Sequence, residues 1–319
     1  MTASKRSRTP LVSAVITTRD RYELLCECIR SVAASSYRPI ELIIIDDNSS
    51  DATKALTVPR LKRMTGSRIE RVRIEHAKTN IKMVKARNLG AKLARGEYIA
   101  FIDDDNVIDK NMIRELVAFA QMHPEYGILG PSNYSARTKK RILDGQRINF
   151  FTGRTNGWVD RSGREYSDSD GIPNVFMIAR SVFRKAGCFD EALVQTFTEP
   201  DFAFNARRYG IQSAFVSAAI THHNIPTGVY TPRTLGGEYK HKAYYTMRNR
   251  GFIIFRYGRW YHRVVYALVF SWIWALIYSA LVVRFGRFDL VRLYWYGWRD
   301  AMIYFFTKKL VNSISRILR

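Results

Sequence analysis

Glu97-Tyr98-Ile99-Ala100-Phe101-Ile102-Asp103-Asp104-Asp105 is the stretch that decides the fold. An apolar, strand-forming run stops abruptly in three consecutive carboxylates. A buried strand that ends in concentrated negative charge needs a partner for that charge, and a divalent cation carrying a phosphorylated ligand is the usual one. The stretch therefore reads as an inner strand with a chemical site at its carboxyl end.

Upstream, Leu11 to Thr17 is a short apolar strand. Asp20 and Glu23 follow at capping-box spacing, ahead of a helix with Leu24, Leu25, Cys28 and Val32 on one face. Ile40 to Ile45 is a continuous apolar strand of the kind buried on both faces, and it runs into the polar loop Asp46 to Asp51. Val72 to Glu75 is a further strand, and Ile81 to Ala94 a helix stopped by Gly96. Downstream come a helix from about Asp109 to Met122 and a strand at Tyr126 to Leu129. Residues 137–170 lose periodicity and read as a long excursion containing a hairpin. Order returns with a strand at Val175 to Ala179, helices opening at Ser181 and Glu199, and a last strand at Ile211 to Ser217. Strands alternating with helices in this way predict an α/β fold, a Rossmann-like, mostly parallel sheet with helices on both faces. Ligands of such sheets sit at the carboxyl ends of the strands. The polar clusters Thr17 to Arg21, Asp46 to Asp51 and Asp103 to Asn106 all lie there.

Composition bounds the partners. In 319 residues, 51 Lys+Arg face 28 Asp+Glu, a net charge of +23, which favours a polyanion such as nucleic acid or an anionic membrane. The 47% hydrophobic content supports a large core and excludes wholesale disorder. Cys26, Cys28 and Cys188 form no disulfide framework and fit reduced thiols. Residues 1–10 read as a loose basic tail without a secretory signal.

Beyond Tyr230 aromatic and basic residues interleave, through Tyr244, Arg248, Arg250, Phe255, Arg256 and Trp260. Val264 to Val283 then carries no charge, about the length that crosses a bilayer core. Its eleven Val, Ile, Leu and Phe residues favour insertion by roughly 3–7 kcal/mol. Both flanks are basic, which fits a single span no better than a re-entrant or in-plane arrangement. A buried soluble hairpin is the plain alternative.

Four stretches carry a resemblance: Val12 to Thr18, Ile45 to Asp51, Ala86-Arg87-Asn88-Leu89-Gly90 and Phe101 to Asp105. In that order and spacing they resemble inverting glycosyltransferases of family 2, which have the GT-A fold. The resemblance spans about residues 11–224. It implies a catalytic domain at 11–228 and a membrane-associated helical region at 229–319. It implies transfer of a sugar from a nucleotide-sugar donor to a hydroxyl of a lipid-linked or glycan acceptor, with the catalytic domain on the cytoplasmic face of a membrane.

By the same resemblance, Thr17, Arg21, Asp47, Arg87 and Asp103 fall where the nucleotide binds. Asp103-Asp104-Asp105 matches an Asp-x-Asp motif, with Asp105 as direct ligand of Mg²⁺ or Mn²⁺ and Asp103 and His222 beside it. In an extended segment Asp103 and Asp105 point one way and Asp104 the other. Thr198-Glu199-Pro200-Asp201-Phe202 stands where the family usually has Glu-Asp-x-Asp-Leu, so Glu199 or Asp201 is the general base. Asn174, Phe176 and Met177 resemble the acceptor-side wall. Arg259-Trp260 lacks the glutamine of the Gln-x-x-Arg-Trp motif of processive synthases. A nucleotidyltransferase would need a glycine-rich loop after the first strand, and Thr17 to Asp20 has no glycine. A basic nucleic-acid binder would not need the uncharged segment; the expected partners are a nucleotide sugar and a membrane, not nucleic acid.

Overall fold

The structure is a computed structural model that describes residues 9–224, Leu235 and residues 240–314. The expected tail falls largely, and the expected boundary at 228/229 wholly, outside the described residues.

Strands β1 (Val12–Thr18), β2 (Ile40–Asp46), β3 (Arg71–His76) and β4 (Tyr98–Asp103) pair in parallel in the order β3-β2-β1-β4. Helices α1 (Tyr22–Ala33), α2 (Val58–Thr65) and α3 (Met83–Leu93) lie between them in sequence. The short β5 (Asn106–Ile108), helix α4 (Met112–Met122) and β6 (Tyr126–Ser135) follow. The excursion holds β7 (Arg141–Leu143), the hairpin β8 (Gly145–Ile148) and β9 (Thr155–Trp158), and β10 (Tyr166–Asp168). Then come β11 (Val175–Ala179), α5 (Arg180–Ala186), α6 (Thr198–Arg207) and β12 (Gln212–His223). The main path is β10-β12-β6-β11-β4-β1-β2-β3, with β11 antiparallel to both its neighbours.

Alternation along the inner strands builds two cores. Val12, Ala14 and Ile16 pack under α1, α2 and α4. Val15, Ile43 and Ile45 pack under α3, α5 and α6. Gly90 lets α3 press on β1, since a Cβ there would lie 2.3 Å from Val15 Cγ1. Phe176 and Met177 of β11 are core residues, not a wall open to ligand. The expected capping box of α1 is absent: the Tyr22 amide donates to Asp51 Oδ2 at 2.9 Å, while Asp20 accepts from Ser50. The loop after β2 thus caps the helix after β1.

The remaining helices are α7 (His241–Tyr257), α8 (Trp260–Val265), α9 (Ser271–Arg284) and α10 (Phe288–Thr307), with a π-helical segment at Tyr266–Phe270 joining α8 to α9. A close crossing of α7 and α10 needs Gly297, where a Cβ would meet Tyr244 O at 2.4 Å. Tyr278 of α9 stacks on Tyr294 of α10 at 4.7 Å. The group docks on the sheet domain through α7. Arg248, Arg250 and Arg256, expected as basic flanks of a span, instead reach inward. Arg248 donates to Ala192 O, and Arg250 donates to Gly153 O and Tyr278 Oη at 2.6 Å each. Arg256 pairs with Asp201 and Asp190, both at 2.8 Å.

Arg256→Ala leaves the buried Asp201 without its cation. The expected loss is about 3 kcal/mol, read as a lower denaturation midpoint, with Arg256→Lys intermediate.

Candidate active site

Arg87 sits on the first turns of α3 with 2% of its surface exposed. Its Nη2 donates to Asp103 Oδ1 at 2.7 Å and its Nη1 to Glu199 Oε1 at 2.5 Å. The Phe176 ring lies 5.2 Å below the guanidinium. One cation therefore joins the end of β4 to the start of α6. Burial works against its charge, but Asp103 and Glu199 raise its pKa further still. Burial pushes the Asp103 carboxyl up, and Arg87 opposes it.

After Asp103 the chain turns into β5, so strand alternation ends there. Asp104 and Asp105 share Arg21: its Nη1 lies 3.1 Å from a carboxylate oxygen of each. Thr18 Oγ1 donates to Asp104 Oδ2 at 2.7 Å. The expected pairing of Asp103 with Asp105 is thus replaced by Asp103 on Arg87 and Asp104 with Asp105 on Arg21. Burial pushes Asp104 up to about 6.

The last strand brings His223 to this turn. Its Nε2 lies 3.7 Å from Asp105 Oδ1, and its buried Nδ1 has no partner. His222, the imidazole expected at the metal, instead packs against Tyr134, and burial lowers its pKa. Antiparallel pairing of β12 with β5 sets this choice, placing His223 opposite Asn106, next to Asp105. Among the described residues no three acidic, His or Cys side chains are arranged around one ion position. Asp105 offers an oxygen donor of the type that Mg²⁺ and Mn²⁺ take, and His223, with its Nδ1 unpartnered, offers a nitrogen donor beside it.

Asp47 lies at the neighbouring strand end. Its oxygens accept from the amides of Ile81 at 2.5 Å and Lys82 at 3.1 Å, which fixes the loop entering α3. Burial raises its pKa. Thr17 sits in register between Ile45 and Asp103 at the end of β1.

Glu199 and Asp201 share the first turn of α6 but face different partners. Glu199 Oε2 accepts from Thr198 Oγ1 at 2.8 Å and its side chain is 16% exposed. Asp201 is 5% exposed and held by Arg256 at 2.8 Å and Tyr257 Oη at 2.9 Å. The structure thus joins Asp103, Arg87 and Glu199 in one network and turns Asp201 toward α7.

The loop before α6 is strained. Val194 and Phe197 have φ of 66° and 61°, costly for side chains of this kind. Asn249 of α7 holds it: its Nδ2 donates to Leu193 O and Thr196 O, both at 2.8 Å. Thr18 and Asn249 touch these residues and were missed by pattern reasoning. Thr18 adjoins the chosen Thr17, and of the adjacent pair His222-His223 it is His223 that lies against Asp105. Asn249 lies in a segment whose apolar and basic surroundings suggested lipid.

A family model described as "Glycosyl transferase family 2" matches residues 13–187. Glycosyltransferase GlyG of Streptococcus pneumoniae is 30% identical over 106 residues, 33% of this chain and 34% of that protein. The uncharacterized glycosyltransferase EpsJ of Bacillus subtilis is 30% identical over 132 residues, 41% of this chain and 36% of the relative. Each alignment thus spans about a third of the curated relative. Among solved structures, mannosyltransferase PcManGT of Pyrobaculum calidifontis with GDP-Man and Mn²⁺ superposes with a TM-score of 0.57 at 14% identity, covering 95% of this chain and 89% of that one. S. aureus TarS 1-349 with UDP-GlcNAc gives 0.55 at 16% identity, covering 93% and 92%. At these identities the likeness establishes the fold, which is GT-A.

Arg87→Met leaves Asp103 and Glu199 facing each other without a cation, and a loss of about 3–5 kcal/mol is expected in denaturant titrations. Glu199→Gln keeps a hydrogen-bond acceptor and should cost under about 2 kcal/mol. Asp104 gives a pH signature. Its folded pKa lies above its unfolded value, so the folded state binds the extra proton between about 4 and 6. Its contribution is full below pH 4 and lost as pH rises through 6. In chelator, Asp104→Asn should flatten the fall in stability across that window by about 2–3 kcal/mol.

Proposed function

The chain belongs to glycosyl transferase family 2, and from that premise we propose that it moves a sugar from a nucleotide-sugar donor to an acceptor hydroxyl, with inversion. The observation that carries this reading is the joining of Asp103 and Glu199 through buried Arg87, beside the turn Asp104-Asp105. In this reading the acids on the donor side and the candidate base act together at the carboxyl ends of the strands.

Glu199 is the proposed base. Its partial exposure favours contact with an acceptor, whereas Asp201 is spent on Arg256 and Tyr257 and acts as a positioning residue. Arg87 orients Glu199 through the hydrogen bond from its Nη1. Asp47 shapes the nucleotide-side wall through the Ile81 and Lys82 amides, and each of its oxygens keeps a lone pair for a base donor. Thr17 lines the same end of β1. Arg21 supplies a guanidinium suited to diphosphate oxygens.

Asp105, with His223 and Asp103 near it, would hold Mg²⁺ or Mn²⁺. Such an ion, when bound, neutralises charge on the departing nucleoside diphosphate. The Mn²⁺ in the PcManGT and GalNAc-T7 structures supports a divalent cation here. UDP-GlcNAc in TarS and GDP-Man in PcManGT support a nucleotide sugar. The apolar Trp260–Arg284 helix supports attachment at a membrane, and the reading takes the acceptor as lipid-linked and the catalytic domain as lying on the cytoplasmic face. Residues 11–228 are the proposed catalytic domain and 229–319 the membrane-associated region.

The test is a screen of UDP- and GDP-sugars with membrane lipid extract, in Mn²⁺, Mg²⁺ or chelator. One donor is expected to yield a glycosylated lipid. Glu199→Gln should lower transfer about 10²–10⁴-fold with donor binding retained. Asp105→Ala should weaken metal-dependent donor binding. Undiminished transfer by Asp105→Ala in chelator would remove the metal from the reading, and undiminished transfer by Glu199→Gln would remove the base.

A further inference from the structure

A cleft of about 520 Å³ opens where α6 meets α7 and α8, lined by Phe150, Phe204, Arg207, Arg208, Arg256, Tyr257 and Arg263. Its lining holds four arginines and no acid. Arg207 and Arg256 are tied to carboxylates behind the wall, Asp170 and Asp201 with Asp190. Arg208 lies over the Tyr257 ring at 4.9 Å, and Arg263 donates through Nε to Gly258 O at 2.8 Å. Among the described residues neither Arg208 nor Arg263 has a carboxylate within ion-pair distance, and both line the cleft.

Arg263 also belongs to the helix whose apolar side is bare. Trp260, Val264, Leu268, Trp272, Leu276 and Ile277 are exposed along one stripe of Trp260–Arg284. Opposite them Ser271, Ala275, Tyr278 and Val282 are buried against the protein. That packed side is fixed along its length: Trp274 Nε1 donates to Thr152 O at 2.5 Å, Tyr278 Oη accepts from Arg250, and Ser271 and Ser279 accept from Trp298 and Trp295. Of these bonds the one from Trp274 reaches the sheet domain and the others tie the helix to α7 and α10, so its buried side lies along the protein. Arg259 and Arg284 are exposed at the two ends of the stripe, and Arg292, Lys308 and Lys309 are exposed on α10 and just past it. The only acids in residues 240–314, Asp289 and Asp300, are consumed by ion pairs. An apolar stripe with basic ends matches an anionic leaflet.

We propose that the arginine cleft binds the phosphate of an anionic membrane lipid while the bare stripe of the Trp260–Arg284 helix lies in the same leaflet, parallel to its plane. Arg208 and Arg263 bond the phosphate oxygens in the manner of guanidinium groups. Phe150 and Phe204 flank the first carbons of the lipid, and Trp260 lies at the headgroup level. This extends the proposed membrane attachment, but it is read by vesicle binding and not by transfer, so either can fail alone.

The full chain is tested by flotation with vesicles of phosphatidylcholine, alone or mixed with phosphatidylglycerol. Wild type should prefer the mixed vesicles by about tenfold or more at moderate salt. Arg208→Gln with Arg263→Gln should erase most of that preference and leave binding to phosphatidylcholine alone unchanged. Leu268→Ser with Leu276→Ser, exposed positions that leave the core intact, should weaken binding to both. An unchanged preference in the arginine pair overturns the site. So does competition by inorganic pyrophosphate at concentrations that leave the apolar stripe bound, which would assign the cleft to a free anion. A dimer in solution that the leucine pair dissociates, without effect on vesicles, assigns the stripe to a second copy. For orientation, Arg259→Cys and Arg284→Cys are made singly on a Cys188→Ser background and bound to the outside of intact vesicles. An impermeant thiol reagent should label both; protection of one alone overturns the in-plane placement.

Discussion

The Arg87 guanidinium is the constraint on which the site depends. The sheet domain brings Asp103 from β4 and Glu199 from α6 onto one guanidinium, and two partly buried carboxylates so close repel. A single buried cation with two parallel donors resolves this, and its planar fork fixes the direction of both acids. Lysine could supply the charge but not both directions. The flat face of Arg87 also rests on Phe176, so the apolar core sets its height above the sheet. Arg87 is thus at once core, ion pair and site.

The acidic turn follows the same logic with a different outcome. Three consecutive acids cannot share one cation, because β4 ends at Asp103 and the chain turns. Arg87 neutralises the first from beneath, Arg21 the next two from the side, and Thr18 adds a neutral donor. Arg21 is more exposed than Arg87, 27% against 2%. A guanidinium at the surface is displaced at lower cost than a buried one, because water solvates it when its partners turn away. The division separates a fixed half of the site from an adaptable half, and Asp105, shared between Arg21 and His223, lies in the adaptable one.

The inner strands were legible because burial on both faces demands unbroken apolar runs: β2 and β4 begin and end within one residue of their expected positions. Helix α3 was legible from its stop, ending at Leu93 with Ala94 as its cap just before Gly96. What stayed hidden depends on pairing across the chain. His223 rather than His222 faces Asp105 because of the β12–β5 register, which no local pattern encodes. The α1 cap comes from Asp51, 29 residues away from the amide it accepts. The basic residues of α7 misled for a physical reason. An arginine that seeks a lipid phosphate and one that caps a buried carbonyl have the same neighbours in sequence, aromatic and apolar.

That last confusion bears on what the C-terminal helices do. If they served only as an anchor, α7 would need an apolar face and nothing more. Instead it spends Arg248, Asn249, Arg250 and Arg256 on the sheet domain, with Asn249 and Arg248 gripping the carbonyls of the 192–196 loop. The positive φ angles of Val194 and Phe197 persist only because that grip offsets them. The loop in turn sets the first turn of α6, and so the position of Glu199 against Arg87. The helices that carry the bare apolar stripe and the loop that aims Glu199 are therefore parts of one packed unit. Through the contacts of α7 with the 192–196 loop, the C-terminal region counts as part of the site's framework.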